Sequence, residues 1–227
     1  MTELPPDDIG YPSSFPPPRS PGAPRSRGES AKEVIHIPGA GTAGMALLIV
    51  SLTMLFLASI AAYLVVRYEF LTRNPDAATP DWPPAGLPGL PHSLWLSTLV
   101  ILFASYTIHT ALKAIQRDDE KRLLRYLRIT FVLGLVFLCL QTLNWLEFYR
   151  ALPEGMGISG VYLAGFYILT ALHALHVIGG LIPLGITMIH AKHGKYSRNF
   201  YPGVRYSAIY WHFLDAVWIA LFVVMLI

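Results

Sequence analysis

The chain has 227 residues, 54% of them hydrophobic and 14% charged, with a formal net charge of +3 at pH 7. With a mean hydropathy of +0.48, this composition excludes a soluble domain of this size and places the chain in a bilayer. The basic excess comes without a groove of interleaved aromatics for stacking bases, so nucleic acid is not an expected partner.

Residues 1–38, MTELPPDDIGYPSSFPPPRSPGAPRSRGESAKEVIHIP, are rich in Pro, Ser and charge and poor in large aliphatics. They cannot bury enough surface to fold alone and are expected to form a disordered cytoplasmic tail. A flexible tether is favoured over a proline-rich partner ligand. A basic start running directly into an apolar core is missing, so the first helix is expected to insert uncleaved.

Residues 39–227 hold five apolar runs of the length needed to cross a membrane, at about 43–66, 92–114, 124–147, 160–189 and 206–227. The expected fold is an all-α membrane protein, a five-transmembrane-helix bundle. Of the 17 Lys and Arg, 14 fall in the tail, the second loop (Lys113 to Arg128) and the fourth loop (Lys192 to Arg205), leaving Arg67, Arg73 and Arg150 on the other side. Basic residues mark cytoplasmic loops, so the N-terminus is expected in the cytoplasm and the C-terminus outside. The first outer loop, with six prolines, reads as a semi-rigid cap. Trp82 and Trp95 are placed as interfacial anchors, and Trp211 and Trp218 are further candidates for lipid or interface anchoring. No repeat of 20 to 50 residues is apparent, which argues against the duplicated halves of many transporters.

Polar residues inside the spans need individual readings, because ionisable groups there are costly and mark bundle interiors or water-filled paths. In the third helix Gln141, Asn144 and Glu147 follow at i, i+3 steps and read as an interhelical polar seam. Cys139, mid-helix in LVFLCLQ, reads as an inert buried thiol. In the fourth helix, FYILTALHALHVIGG (166–180) puts Thr170, His173, His176 and Gly180 on one stripe. In the fifth, YWHFLDAVWIALF (210–222) puts Trp211, Asp215 and Trp218 on one face with His212 beside them. The spacing suggests that Asp215 bonds His173 or His176 across the interface of the last two helices, since an unpaired aspartate there would take up a proton. Metal or haem ligation through His173, His176, His212 and His109 and a proton relay are the alternatives to packing, which is favoured. Ser51, Ser59 and Tyr63 in the first helix and Ser97, Ser105 and Thr107 in the second read most simply as packing residues. His36, His92, His190 and His193 lie in the tail or at helix ends. No nucleophile elbow, HExxH or phosphate-cradling loop occurs, so no catalytic site of its own is expected.

The last-helix stretch YWHFLDAVWIALF resembles the signature of cytochrome c oxidase subunit III, YWHFVDVVW followed by an aliphatic pair. FYILTALHALHVIGG is similar to the family's FF-x-x-TG-x-H-x-x-H-V-x-x-G, with Ala171 where glycine is usual. Weaker echoes are GMALLIVSLTMLF (44–56), LSTLVILFASYT (96–107) and LGLVFLCLQTLNW (133–145). The resemblance spans about residues 40–227 and implies the five-helix form of a haem-copper terminal oxidase subunit III. It implies no haem or copper on this chain, with both expected on partner subunits. It further implies packing beside subunit I, with subunit II in the same complex, and bound phospholipid. The complex it implies takes electrons from cytochrome c or a quinol, reduces dioxygen to water and pumps protons, in a bacterial inner membrane. Where the family carries intramembrane glutamates, this chain has Leu52 and Asn144, so a proton-antenna or carbodiimide-reactive role resting on them is not carried over. The two helices that complete a lipid cleft in seven-helix members are also missing. A subunit III-like accessory protein of a nitric oxide reductase, a haem- or metal-binding electron carrier, and a proton-coupled transporter using Asp215 are the competing readings.

Overall fold

The computed structural model describes residues 40–73, 89–152 and 161–226. The expected disordered tail, Trp82 and most of the proline-rich outer loop lie outside the described residues. Five helices make up the fold: α1 (Ala40–Arg73), α2 (Ser93–Gln116), α3 (Glu120–Arg150), α4 (Val161–Lys192) and α5 (Pro202–Leu226). All five are long and apolar enough to span a membrane, and the described residues contain no strand. Helices α1 and α3 run several residues beyond the apolar stretches that announce them. At 1.5 Å per residue, the 34 residues of α1 reach about 51 Å, longer than the roughly 40–45 Å of a bilayer with its headgroups, so helix continues into the polar zone.

Helix α3 starts at Glu120 because Asp119 caps it. Its carboxylate accepts the Arg122 N–H at 2.9 Å and pairs with the Arg122 guanidinium at 3.2 Å, as an N-cap aspartate does. The turn into it needs a left-handed residue, supplied by Asp118 at φ 60°, one of the few side chains that tolerate this conformation. Asp118 also accepts the Arg198 N–H at 3.2 Å. The α2–α3 turn and the α4–α5 loop therefore lie at the same end of the bundle, here called the basic end.

Helices α2 to α5 close into a ring in which α2 packs on α3, α3 on α4, α4 on α5 and α5 back on α2. Hydrogen bonds stitch it: Thr107 to Thr130 at 2.9 Å and Asn144 to Ser97 at 3.0 Å between α2 and α3, Trp145 to Thr170 at 2.9 Å between α3 and α4, and Trp218 to Thr98 at 3.0 Å between α5 and α2. Lipid tails are as apolar as leucine, so such bonds and close packing hold membrane helices together. Close packing shows at Gly134, where an added Cβ would sit 2.7 Å from the Trp211 ring, and at Gly180, where it would sit 2.6 Å from that of Tyr210.

Helix α1 lies outside the ring and meets it through aromatic side chains. The Tyr206 hydroxyl pairs with Thr42 at 3.1 Å near the basic end. Phe56 is buried against His173, His176 and Phe213 midway. Tyr63 presses on Gly165, where an added Cβ would lie 2.6 Å from the ring.

Candidate functional site

The polar residues of α4 and α5 divide among three environments. His173 is fully buried in a cage of Phe56, Phe137 and Trp218, with ring centroids 6.3, 5.7 and 5.0 Å away. Neither of its nitrogens meets a hydrogen-bond partner among the described residues. His176, one turn on, bonds through Nδ1 to its own helix at the Leu172 carbonyl, 2.7 Å away, and faces α1 through Phe56 at 5.1 Å. His212 points to α2, with Nδ1 2.7 Å from the Ser105 hydroxyl and its ring 6.0 Å from that of His109.

The bond expected between Asp215 and a histidine of α4 is not made. Asp215 is buried, but its carboxyl lies beside Ser105 of α2 at a geometry short of a hydrogen bond, and both oxygens lack a partner among the described residues. The reason is topological: α5 packs on both α2 and α4, and the Asp215 edge of its inward face turns to α2. Trp211 and Trp218, expected as lipid or interface anchors, are fully buried. They share that inward face and lie mid-helix, far from a headgroup zone. Trp95 is 56% exposed at the start of α2, with its ring 4.8 Å from Phe222. Cys139, expected to be buried, is exposed, because it lies opposite the inward face of α3 that carries Gly134, Phe137, Gln141 and Asn144.

The α3 polar residues face α2. Asn144 donates to Ser97, and Glu147 accepts from Ser93 at 2.6 Å. Gln141 is buried without a partner among the described residues. Among the described residues no three His, Cys, Asp or Glu side chains come together as a metal ligand set.

Because α1 stands off the ring, two grooves open beside it. The inner one, about 620 Å³, runs along α4 from His176 past Gly179 and Pro183 to His190 and is walled by Met45, Leu48 and Leu52 of α1. Leu52 supplies a hydrocarbon wall where the resemblance leads one to expect a carboxylate. At the basic end the groove turns polar, with Thr187, His190, Tyr196 and Tyr206. Burial pushes the Tyr196 hydroxyl up from its ordinary range, and the neighbouring Thr187 hydroxyl opposes that shift. The outer groove, about 400 Å³, is almost wholly apolar and lined by Ala62, Tyr63, Val66, Gly165 and Ile168 among others. Phe56 separates the two. Tyr63, expected to pack, does so on Gly165; sequence reasoning missed Phe56, although it stands out as an aromatic in a largely aliphatic middle of α1.

A sequence model of the cytochrome c oxidase subunit III family matches residues 31–227. The chain belongs to that family. It is similar to the cytochrome c oxidase subunit 3 of Synechocystis sp., 31% identical over 182 residues that cover 79% of this chain and 72% of the relative. The subunit 3 of Thermostichus vulcanus is 32% identical over 186 residues, 81% and 85% of the two chains. That of Ornithorhynchus anatinus is 31% identical over 182 residues, 79% and 66%. The chain is therefore a multi-pass membrane protein with a place in an oxidase complex.

Proposed function

We propose that this chain is a non-catalytic subunit III that braces subunit I of a proton-pumping haem-copper oxidase, beside subunit II, and holds phospholipid in the grooves around α1. Haem and copper sit on the partners in this reading. The complex draws electrons from cytochrome c or a quinol and reduces dioxygen to water. The N-terminus and basic end face the cytoplasm of a bacterial cell, as the distribution of Lys and Arg favours.

The dispersal of the intramembrane histidines is the observation that carries this reading. An electron carrier needs two or more of them converging on one point. Here His173 is taken up by an aromatic cage and His176 by its own helix; His109 and His212 lie with rings 6.0 Å apart, but Nδ1 of His212 is engaged by Ser105 and among the described residues no third ligating side chain joins the pair. Lipid binding draws support from the inner groove: the 14 residues from His176 to His190 rise about 21 Å, the depth of one leaflet with its headgroup zone. The groove is apolar inside and polar at the basic end, which suits an acyl chain below a headgroup.

The test is to purify the tagged chain gently from its native membrane and record its companions and a reduced-minus-oxidised spectrum. A co-purifying haem-copper subunit that reduces dioxygen and keeps all haem when the subunits are separated is expected. Haem retained by the isolated chain would overturn the reading. A nitric oxide reductase as companion would replace it with the accessory-protein alternative.

A further inference from the structure

The lipid-facing surfaces of this molecule differ in chemistry. The exposed side of α1 is aliphatic through the bilayer except for Ser51, with Leu47, Val50, Met54, Leu57 and Val65, and hydrocarbon suits it. The outer side of α2 and α5 is not like this. Tyr106 is 63% exposed, and His109 and His212 are exposed beside it.

Depth makes this patch costly. From the middles of α2 (Ser93–Gln116) and α5 (Pro202–Leu226), Tyr106 and His212 are displaced by about 2 and 3 Å of helix rise and His109 by about 7 Å, all well inside the roughly 15 Å half-thickness of the hydrocarbon. Side chains this short cannot reach the headgroups from there. Beyond the Ser105 contact of His212 Nδ1, no hydrogen bond among the described residues satisfies the Tyr106 hydroxyl, either His109 nitrogen or His212 Nε2. Polar groups at this depth require a protein partner or a water-filled path. The polar layer also continues inward, since Asp215 lies buried and unpartnered behind Ser105. The patch is flanked by Phe103, whose ring stacks with that of Tyr106 at 6.1 Å. Aromatic anchors around a few hydrogen-bonding groups are the composition of interface centres.

We infer that the α2–α5 face centred on Tyr106, His109 and His212 docks a transmembrane helix of the catalytic subunit, one that offers hydrogen-bonding groups at the bilayer midplane. The inference rests on the proposed membership of an oxidase complex. It assigns α1 to lipid and the opposite chemistry to protein.

The experiment uses the intact complex. A photoreactive benzoylphenylalanine is placed at position 106, or at position 50 on α1, and in parallel Tyr106 and His109 are both changed to leucine. Crosslinking to the catalytic subunit from position 106 and to lipid alone from position 50 is expected. The Tyr106→Leu, His109→Leu chain is expected in the membrane at normal abundance, since leucine suits lipid better, while retention of the catalytic subunit through detergent washing falls at least about tenfold. Crosslinks from position 106 to lipid only, or to a second copy of this chain, would overturn the inference, as would unchanged retention by the double variant. Crosslinks from position 50 in place of position 106, in a preparation that still contains a haem-copper subunit, would overturn the docking face alone. Absence of that subunit from the unmodified preparation would overturn the functional reading and this inference with it.

Discussion

The most apolar 18-residue stretch of the five helices lies in α1, yet 11% of it is buried, against 39% of the corresponding stretches in α2, α4 and α5. In water the more apolar helix would be the more buried. In a bilayer hydropathy says only that a helix can span, while small residues and hydrogen bonds decide what it packs against. The ring of α2 to α5 has Thr107–Thr130, Ser97–Asn144 and Trp218–Thr98 running through it. Helix α1 is docked through Tyr206, Phe56 and Tyr63, and grooves of about 620 and 400 Å³ open between the docks. A rigid ring with a loosely attached helix suits a subunit that braces a neighbour on one face and holds lipid on another.

Substitutions can break that contrast. Trp218→Ala removes the side chain that packs on Phe137 and His173 and bonds Thr98. It is expected to cost about 3–5 kcal/mol, read as loss of cooperative unfolding of the helical signal in detergent. A loss below about 1 kcal/mol would show that the cage does not hold the ring together. Phe56→Ala is expected to cost less overall and to act locally. Amide exchange should rise along α1 while α2 to α5 stay protected, and a uniform rise in all five helices would mean that α1 is part of the ring after all. Asn144→Leu removes one seam bond and is expected to cost about 0.6–1.7 kcal/mol. Leu64→Ala, on the exposed side of α1, should stay within about 0.5 kcal/mol of the parent. If these last two had equal effects, the seam would have no special part in holding the helices.

The apolar runs made five helices legible in the sequence, because a span of about 20 residues is a strong signal. Helix ends were less so: the start of α3 is set by Asp119 capping a stretch too charged to read as membrane. The faces were half legible. Helical spacing put Trp211, Asp215 and Trp218 on one side of α5, and they do share its buried face. Which neighbour that face meets depends on the order of helices round the ring, which spacing along one helix cannot carry, so Asp215 was matched to α4 when it lies by α2. The exposure of Cys139 escapes the sequence for a related reason. Both the inner and outer faces of α3 are apolar, and in a bilayer the two look alike in sequence. The grooves were not legible, since they are spaces defined by where Phe56 and Tyr63 hold α1 away from α4.

In the proposed reading the chemistry belongs to the partners and the bracing to this chain. That reading is tested most directly by stripping the chain from the purified complex and measuring the initial rate of dioxygen reduction and the haem and copper content of both fractions. The remaining subunits are expected to keep all haem and copper and most of the initial rate, while the released chain carries neither metal centre. Haem or copper leaving with the chain, and a rate falling in proportion, would contradict it.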